Sequence, residues 1–155
     1  DVDVCGIPGR LIEAELLTMA TKCFKELGID IYIEWNNRKL LSGLITECNI
    51  PEEVTSRVIL SVDKLAKIGE NGVREELKEY NIDNEKLDKL FNYFKLDING
   101  LKETFSNSEN QTLVEGLNEV IELSDYIEKL NTNIDVNLLK TTFNNQLLSL
   151  NKAIA

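Results

Sequence analysis

The sequence predicts an α+β fold that is mainly helical, with a small antiparallel sheet and a block of helices inserted into it. Apolar residues alternate with polar ones near the start of the chain, as they do in a strand with one buried face. After Asn36 they recur at every third or fourth position, as in amphipathic helices, and from Ile134 to Leu138 they alternate again. A helical block enclosed between segments of one sheet is typical of an insertion into a larger α/β domain.

The first 36 residues are predicted to form a strand, a helix and a second strand. Asp1 to Cys5 is the first strand, which ends in a turn at Gly6–Gly9. From Leu11 to Leu27 apolar residues recur at helical spacing, and Gly28 supplies the stop. The alternation from Ile31 to Trp35 predicts the second strand. The predicted inward face of the helix consists of Ile12, Leu16, Met19, Ala20, Cys23 and Leu27.

The block after Asn36 is predicted to begin with a short helix, Arg38 to Glu47, followed by a longer one. Pro51 lies where the first helical residue is expected. Proline lacks a backbone N–H, and the N–H of the first helical residue has no partner within the helix. Acidic residues follow it at the positive end of the helix dipole. This second helix is predicted to end near Gly69.

The rest of the block is predicted to contain shorter helices and one long helix. Asn71 caps a short helix through Leu77, and Asp83 caps the next one. Asn99-Gly100 is predicted to form a turn before Leu101 to Phe105. The long helix is lined by Leu113, Val114, Leu117, Val120, Ile121, Ile127 and Leu130.

These patterns divide the chain into three parts. Residues 1–36 are predicted to be a strip of a larger domain, residues 37–130 a helical insertion, and residues 131–155 a return strand and a C-terminal helix. Strands cut from a sheet leave unpaired edges. Asp1–Cys5 and Ile134–Leu138 are therefore expected to favour self-association.

Composition limits the chemistry that the chain is expected to perform. With 17 Lys and Arg against 27 Asp and Glu, the net charge of −10 repels a phosphate backbone, so any RNA contact is expected to be local. His is absent, which removes the usual general base near neutral pH, and no catalytic residue is assigned. The cysteines lack metal-ligand spacing, so no metal site is predicted. No apolar run approaches the roughly 20 residues of a membrane span, which predicts a cytoplasmic chain without membrane contact.

Charged pairs are the candidate binding residues. Arg38 with Lys39, and Lys64 with Lys67, either lie on a solvated helix face or contact phosphate. Asp1 and Asp3 share one face of a strand, so they either stay solvated or converge on an amine or a metal ion. No Gly-rich phosphate loop and no Ser nucleophile motif is present.

Five segments form a series whose order and spacing resemble a known family. They are Asp1–Gly6, Ile12–Leu17, Glu34–Gly43, Ser61–Gly69 and Glu115–Leu117. Together they resemble histidyl-tRNA synthetase of the archaeal and eukaryotic type. A series that extends from residue 1 to about residue 139 is more specific than any one of its segments.

The resemblance implies a class II aminoacyl-tRNA synthetase, a ligase of protein biosynthesis that activates histidine with ATP and Mg²⁺ and then esterifies tRNA. The sheet would be a remnant of the class II core. Asp3 would contact the α-amino group of histidine, because an ammonium in a partly dry pocket needs a charged partner. The helical insertion would approach the acceptor stem of tRNA(His), and the candidates for that contact are Arg38, Lys39, Lys64 and Lys67. The remainder of the synthetase and a second copy in a homodimer are the other expected partners.

Two departures from the family pattern limit what the chain is expected to do alone. The motif 2 and motif 3 arginines that hold ATP would lie before Asp1 and beyond Ala155. Lys140 stands where the histidine-binding signature has arginine, and that change is not conservative at a bidentate site. The chain alone is therefore expected to bind neither ATP nor Mg²⁺ and to be inactive. A catalytically inactive regulatory paralogue and a helical interaction module are the alternatives.

Overall fold

The computed structural model describes residues 4–6, 9–31, 33 and 35–130. Over these ranges the chain is helical, and no described residue lies in a β-strand. The elements are α1 (Leu11–Glu26), α2 (Arg38–Glu47), α3 (Glu52–Val62), α4 (Leu65–Leu77), a 3₁₀ turn (Lys78–Tyr80), α5 (Asn84–Phe94), α6 (Ile98–Thr104) and α7 (Gln111–Lys129).

The predicted α+β fold with a small antiparallel sheet is wrong for the described part of the chain. Val4, Cys5, Ile31, Ile33 and Trp35 all lie outside any strand. Alternating apolar residues indicate only that one side of a segment is buried, whereas a strand also needs a neighbour for its backbone N–H and C=O groups. In the segment between α1 and α2, Trp35 instead packs against buried residues of the helices. The strand predicted from residue 134 to residue 138 lies outside the described residues.

Helix α1 ends where the sequence predicts, but it packs through a different face. Gly28 follows it with a φ of 71°, a conformation that glycine adopts without strain, and its N–H donates to the Lys25 carbonyl at 3.0 Å. The buried residues of α1 are Ala14 and Thr18, which are not in the predicted inward face. Of that predicted face, three residues are half-buried and three are exposed: Ile12, Leu16 and Ala20, and Met19, Cys23 and Leu27, respectively.

Helix α2 has the predicted bounds, whereas the helix predicted from Pro51 to Gly69 is divided. Pro51 precedes α3, and α3 ends at Val62. Helix α4 begins at Leu65, and Gly69 interrupts it with φ 72° and ψ 173°. Because this conformation is strained for any residue with a Cβ, the helix breaks at the glycine. The breaks allow α3 and α4 to pack against each other.

The turn predicted at Asn99-Gly100 is also wrong, because both residues lie inside α6. The Asp97 side chain accepts the Gly100 N–H at 2.8 Å and so caps the first turn of that helix. Asp83 occupies the predicted N-cap position of α5, but its side chain does not form the capping hydrogen bond. Asn110 caps α7 through its side chain, and α7 follows the predicted long helix closely.

The main core is built by residues 40–120 around the crossing of α2 and α7. A Cβ on Gly43 would come within 2.5 Å of Leu113 Cα, and a Cβ on Gly116 within 2.1 Å of the Leu40 backbone nitrogen. The two helices therefore touch backbone to backbone, which requires glycine at both positions. Large side chains buried around this crossing include Leu41, Leu44, Ile45, Leu77, Leu87, Leu90, Phe91, Phe94 and Leu101.

A smaller second cluster joins α1 to the C-terminal half of α7. Its buried residues are Ala14, Leu123 and Ile127. Trp35 packs against both clusters and so links them. The N-terminal part of the chain thus contacts the helical block mainly through one helix and one tryptophan.

Candidate functional site

The candidate basic residues Arg38 and Lys39 lie in the first turn of α2, from which Lys39 reaches α7. Lys39 Nζ is 2.9 Å from Glu119 Oε1 and 3.2 Å from Glu115 Oε2. The hydrogen bond with Glu119, followed by that with Glu115, raises the pKa of Lys39. The Lys39 ammonium therefore already has carboxylate partners within the chain.

Glu119 is the centre of a polar junction between three parts of the chain. Its carboxylate accepts hydrogen bonds from Lys39 Nζ at 2.9 Å and from Asn37 Nδ2 at 2.7 Å, and Arg10 Nη2 lies 3.7 Å away. The Glu119 side chain is 20% exposed. The Lys39 hydrogen bond is the main reason that the pKa of Glu119 lies below its usual range. Together Arg10, Asn37, Lys39 and Glu119 form the Glu119 hub, which ties the start of α1 and the start of α2 to α7.

Replacing Glu119 with glutamine is expected to lower the free energy of unfolding by about 1 to 2 kcal/mol at neutral pH, because charge-assisted hydrogen bonds become neutral ones. The folded pKa lies below the value of about 4.3 expected in the unfolded chain, so the carboxylate stabilises the fold fully above that pH. This contribution is lost as the pH falls through the folded pKa.

Urea unfolding at several pH values measures this effect. The difference between wild type and Glu119→Gln should be constant from about pH 7 to 5 and should shrink below about pH 4. Glu128→Gln, at an exposed position of the same helix, is the control and should change stability by less than about 0.5 kcal/mol. A difference for Glu119→Gln that grows toward acid pH would contradict the hub.

Of the second basic pair, Lys64 and Lys67, Lys64 lines a cleft of about 390 Å³ between α3, α4 and the 3₁₀ turn. Lys64 Nζ contacts both carboxylate oxygens of Glu76, at 2.9 and 3.0 Å, and Ser61 Oγ donates to the same carboxylate at 3.0 Å. These hydrogen bonds, that of Lys64 first, lower the pKa of Glu76. Lys64 is thus paired inside the chain, as Lys39 is.

The other polar groups that line this cleft carry both signs of charge. Arg57 contributes a guanidinium, and Glu75 and Glu79 contribute carboxylates. A hydrogen bond with Glu79 raises the pKa of Tyr80, so its hydroxyl stays protonated near neutral pH. With three carboxylates against two cations, this lining does not favour the binding of phosphate.

Arg38 and Lys67 differ from the partner residue in each pair. Both are exposed, and neither takes part in an ion pair within the described residues. Lys39 is held by carboxylates of α7, and Lys64 is held by a carboxylate of α4. Within the part of the chain that the structure describes, Lys39 and Lys64 are therefore the candidates whose charge already has a carboxylate partner.

Asp3, the candidate for the histidine amino group, lies outside the described residues. Within the described ranges no cluster of three or more His, Cys, Asp or Glu side chains is arranged to hold a metal ion. Burial raises the pKa of the Cys48 thiol to about 11, so it stays protonated. None of the described helices has the length and apolar composition of a membrane span.

The sequence interpretation missed the Glu119 hub and the close contact of α2 with α7. Gly43 and Gly116 interrupt otherwise apolar helical patterns, and such glycines often mark a close backbone approach. That signal was present in the sequence, but it does not identify which helices meet. Glu119 carried no signal of its own, because an acidic residue on a helix usually faces solvent.

Comparison with known proteins finds histidine–tRNA ligases of bacteria. The chain is 42% identical over 137 residues to histidine–tRNA ligase 1 of Bacillus cereus, a match that covers 86% of this chain and 32% of that protein. It is 39% identical over 134 residues to histidine–tRNA ligase 2 of Shouchella clausii, covering 84% of this chain and 31% of the relative. The histidine–tRNA ligase of Clostridium tetani is 34% identical over 140 residues, with the same two coverages.

No family model matches the chain. The family is therefore indicated by the similarity to individual proteins, and the chain spans about a third of their length. At these identities, over more than four fifths of the chain, the match supports the resemblance to histidyl-tRNA synthetase that the sequence carries. The chain is homologous to a stretch of the histidine–tRNA ligases that amounts to about a third of their length.

Proposed function

We propose that the chain is part of a histidine–tRNA ligase, to which it contributes a strip of the catalytic domain and the helical insertion of residues 37–130. The observation that carries the proposal is the 42% identity to a histidine–tRNA ligase over 137 residues. Three of the resembling segments also coincide with structural constraints. Glu34–Gly43 and Glu115–Leu117 contain both glycines of the α2–α7 crossing, and Ser61–Gly69 contains the break between α3 and α4.

The whole protein would activate histidine with ATP and Mg²⁺ and transfer it to tRNA(His). In that reaction this chain would contribute Asp3 to the amino group of histidine, because a carboxylate pairs with an ammonium. The ATP-binding arginines would come from the remainder of the protein, so the chain alone would not catalyse activation. We also propose that the whole protein is a homodimer and that it is located in the cytoplasm.

Arg38 and Lys67 are the residues that we expect to contact the acceptor stem of tRNA(His). All four side chains are exposed. Lys39 and Lys64 are paired with carboxylates, whereas no described residue forms an ion pair with Arg38 or Lys67. At a net charge of −10 the whole chain repels RNA, so individual cations of this kind would have to supply the attraction.

The alternatives are a catalytically inactive, synthetase-like regulatory paralogue and a helical interaction module. The relatives described above are ligases by name, which favours the ligase over both alternatives. The archaeal and eukaryotic subtype stays a prediction, and the relatives named above are all bacterial.

A hybrid enzyme tests the proposal. The chain replaces the matched stretch of Bacillus cereus histidine–tRNA ligase 1, and charging of tRNA(His) is measured beside the unmodified relative. We expect the hybrid to retain charging within about tenfold, which corresponds to about 1.4 kcal/mol of activation free energy. A hybrid that folds, as judged by circular dichroism and gel filtration, but gives no histidine-dependent turnover would favour the inactive paralogue.

The same hybrid tests the proposed tRNA contact. Replacing Arg38 and Lys67 together with glutamate should raise KM for tRNA(His) by about tenfold, because lost phosphate contacts weaken binding of the whole acceptor stem. KM for histidine and ATP should not change. Lys25→Glu with Lys95→Glu alters the net charge equally at exposed positions and is the matched control. Equal KM values for the two double variants would contradict a local contact.

A further inference from the structure

Asn37 lies where residues 1–36 pass into the helical block, and its side-chain amide makes two hydrogen bonds there. Its Oδ1 accepts the Leu40 N–H at 2.9 Å and so caps α2. Its Nδ2 donates to Glu119 Oε2 of α7 at 2.7 Å. Aspartate at this position would keep the acceptor but lose the donor. One amide therefore fixes both the start of α2 and the place at which that start meets α7.

The same region of α7 also receives a residue from the N-terminal part of the chain. Arg10, which precedes α1, brings its Nη2 to 3.7 Å from Glu119 Oε1. The Arg10 backbone N–H donates to Glu122 at 3.4 Å. Residues 1–36 and the first turn of α2 are therefore both tied to one short stretch of α7.

The contact between residues 1–36 and the helical block is otherwise weak. Its apolar part consists of the small cluster around Ala14 and of Trp35. Three buried polar atoms on α1, the linking segment and α7 have no hydrogen-bond partner among the described residues: Glu13 Oε2, Trp35 Nε1 and Ser124 Oγ. Buried polar groups without partners lower the stability of a contact. The angle between the two parts therefore depends strongly on the hydrogen bonds at Glu119.

We propose that Asn37 is a positioning residue for the transfer of histidine to tRNA, because it fixes the direction in which the helical block leaves residues 1–36. This inference rests on the proposed function. Activation of histidine needs no tRNA, whereas transfer also needs the acceptor stem at the catalytic site. The block carries Arg38 and Lys67, the proposed contacts to that stem, so a turned block presents the stem at the wrong place. Loss of the Asn37 donor therefore slows transfer and spares activation.

Asn110 offers a matched control at the other end of the same helix crossing. Its Oδ1 accepts the Leu113 N–H at 3.1 Å and caps α7. Its Nδ2 donates to the Gly43 carbonyl of α2 at 3.2 Å. Each asparagine thus caps one helix of the pair and donates to the other. Both bonds of Asn110 lie within the block, so Asn110→Asp should lower stability without turning the block.

The first arm of the test uses the protein encoded by the complete gene. Asn37→Asp keeps the cap of α2 but places a second carboxylate beside Glu119. We expect it to lower the ratio of tRNA(His) charging to histidine-dependent pyrophosphate exchange by about tenfold, with exchange itself unchanged. Asn110→Asp should leave this ratio unchanged. Equal ratios for the two variants, or a parallel loss of charging and exchange in Asn37→Asp, would overturn the proposal.

Rescue by a reversed hydrogen bond is the second arm. When Asn37→Asp is combined with Glu119→Gln, the glutamine amide can donate to the aspartate, so α2 and α7 are joined again with donor and acceptor exchanged. The double variant should have a higher ratio of charging to exchange than Asn37→Asp alone. A double variant with the same or a lower ratio would count against positioning through this bond.

Fluorescence of Trp35, the one tryptophan of the chain, reports on the junction without any catalysis. In this chain Asn37→Asp should raise the acrylamide quenching constant by about twofold, because the junction opens more often. Asn110→Asp should not change it, and circular dichroism should show equal helicity for both variants.

The fluorescence separates positioning from catalysis. A complete protein with neither exchange nor charging, in a chain whose Trp35 responds as expected, would contradict the proposed function and leave the role of Asn37 in orienting the block in place. A protein that charges tRNA(His), while neither the ratio nor the quenching responds to Asn37→Asp, would contradict the positioning and leave the function in place.

Discussion

Replacing Gly116 with alanine is expected to destabilise the chain by about 3 kcal/mol or more, at the upper end of the effects of overpacking. The added Cβ would lie 2.1 Å from the Leu40 nitrogen and 2.6 Å from Leu40 Cα. Both are backbone atoms of α2, so no side-chain rotation relieves the clash. Helix α7 must move away from α2, and the core that both helices cover must open.

Urea unfolding followed by circular dichroism measures this loss. The control is Gly100→Ala in α6, where the new Cβ would lie 3.3 Å from Asp97 Oδ1 and from Leu96 Cδ2, two side-chain atoms that need to shift by only a few tenths of an ångström. Alanine also favours a helix over glycine by up to about 1 kcal/mol, so this control should be neutral or slightly stabilising. If both variants were equally stable, the backbone contact between α2 and α7 would be refuted.

Replacing Phe91 with alanine is expected to lower the free energy of unfolding by about 3 to 5 kcal/mol, as for other large-to-small changes in a core. Phe91 is 1% exposed, and its ring packs edge to face against Phe94 with the centroids 6.0 Å apart. The Arg74 guanidinium lies 4.8 Å above the ring and also pairs with Glu70 and Asp88. Removing the ring leaves a cavity beneath this ion pair network.

The same unfolding measurement, with Phe91→Leu as its control, tests the second prediction. Leucine keeps most of the buried volume, so its cost should stay below about 1.5 kcal/mol. A loss below about 1 kcal/mol for Phe91→Ala would indicate that the site collapses without a cavity, or that Phe91 lies outside the core.

Local signals predicted the helices that have their own start and stop residues. The bounds predicted for α2 are confirmed, and its first turn is fixed by Asn37, whose side chain accepts the Leu40 N–H. Gly28 follows the end of α1 as predicted. This stop signal could be identified from the sequence because the positive φ depends on the glycine itself and not on distant residues. These features depend on neighbours within one turn of helix, which the sequence itself specifies.

Features that depend on distant residues were not predictable in the same way. The alternation at Ile31, Ile33 and Trp35 indicates a buried side, but whether a strand or a helix covers that side depends on other parts of the fold. The apolar stripe of α1 was predicted to face inward, yet Ala14 is the residue that contacts α7. When a helix has apolar residues on two sides, periodicity alone does not indicate which side packs against the core.

The candidate site illustrates the same limit. The sequence places a positive charge at Lys39 and at Lys64, but it does not place Glu119 and Glu76 beside them. Those carboxylates come from residues 80 positions and 12 positions away along the chain. Whether a cation is available to RNA is therefore decided by the packing of helices.

The central claim is that this chain is part of a histidine–tRNA ligase. Histidine-dependent exchange of pyrophosphate into ATP, measured on the protein encoded by the complete gene, tests it most directly. We expect exchange with histidine and not with other amino acids, and a higher KM for histidine in an Asp3→Asn variant. A folded protein that exchanges with no amino acid, or with one other than histidine, would contradict the claim.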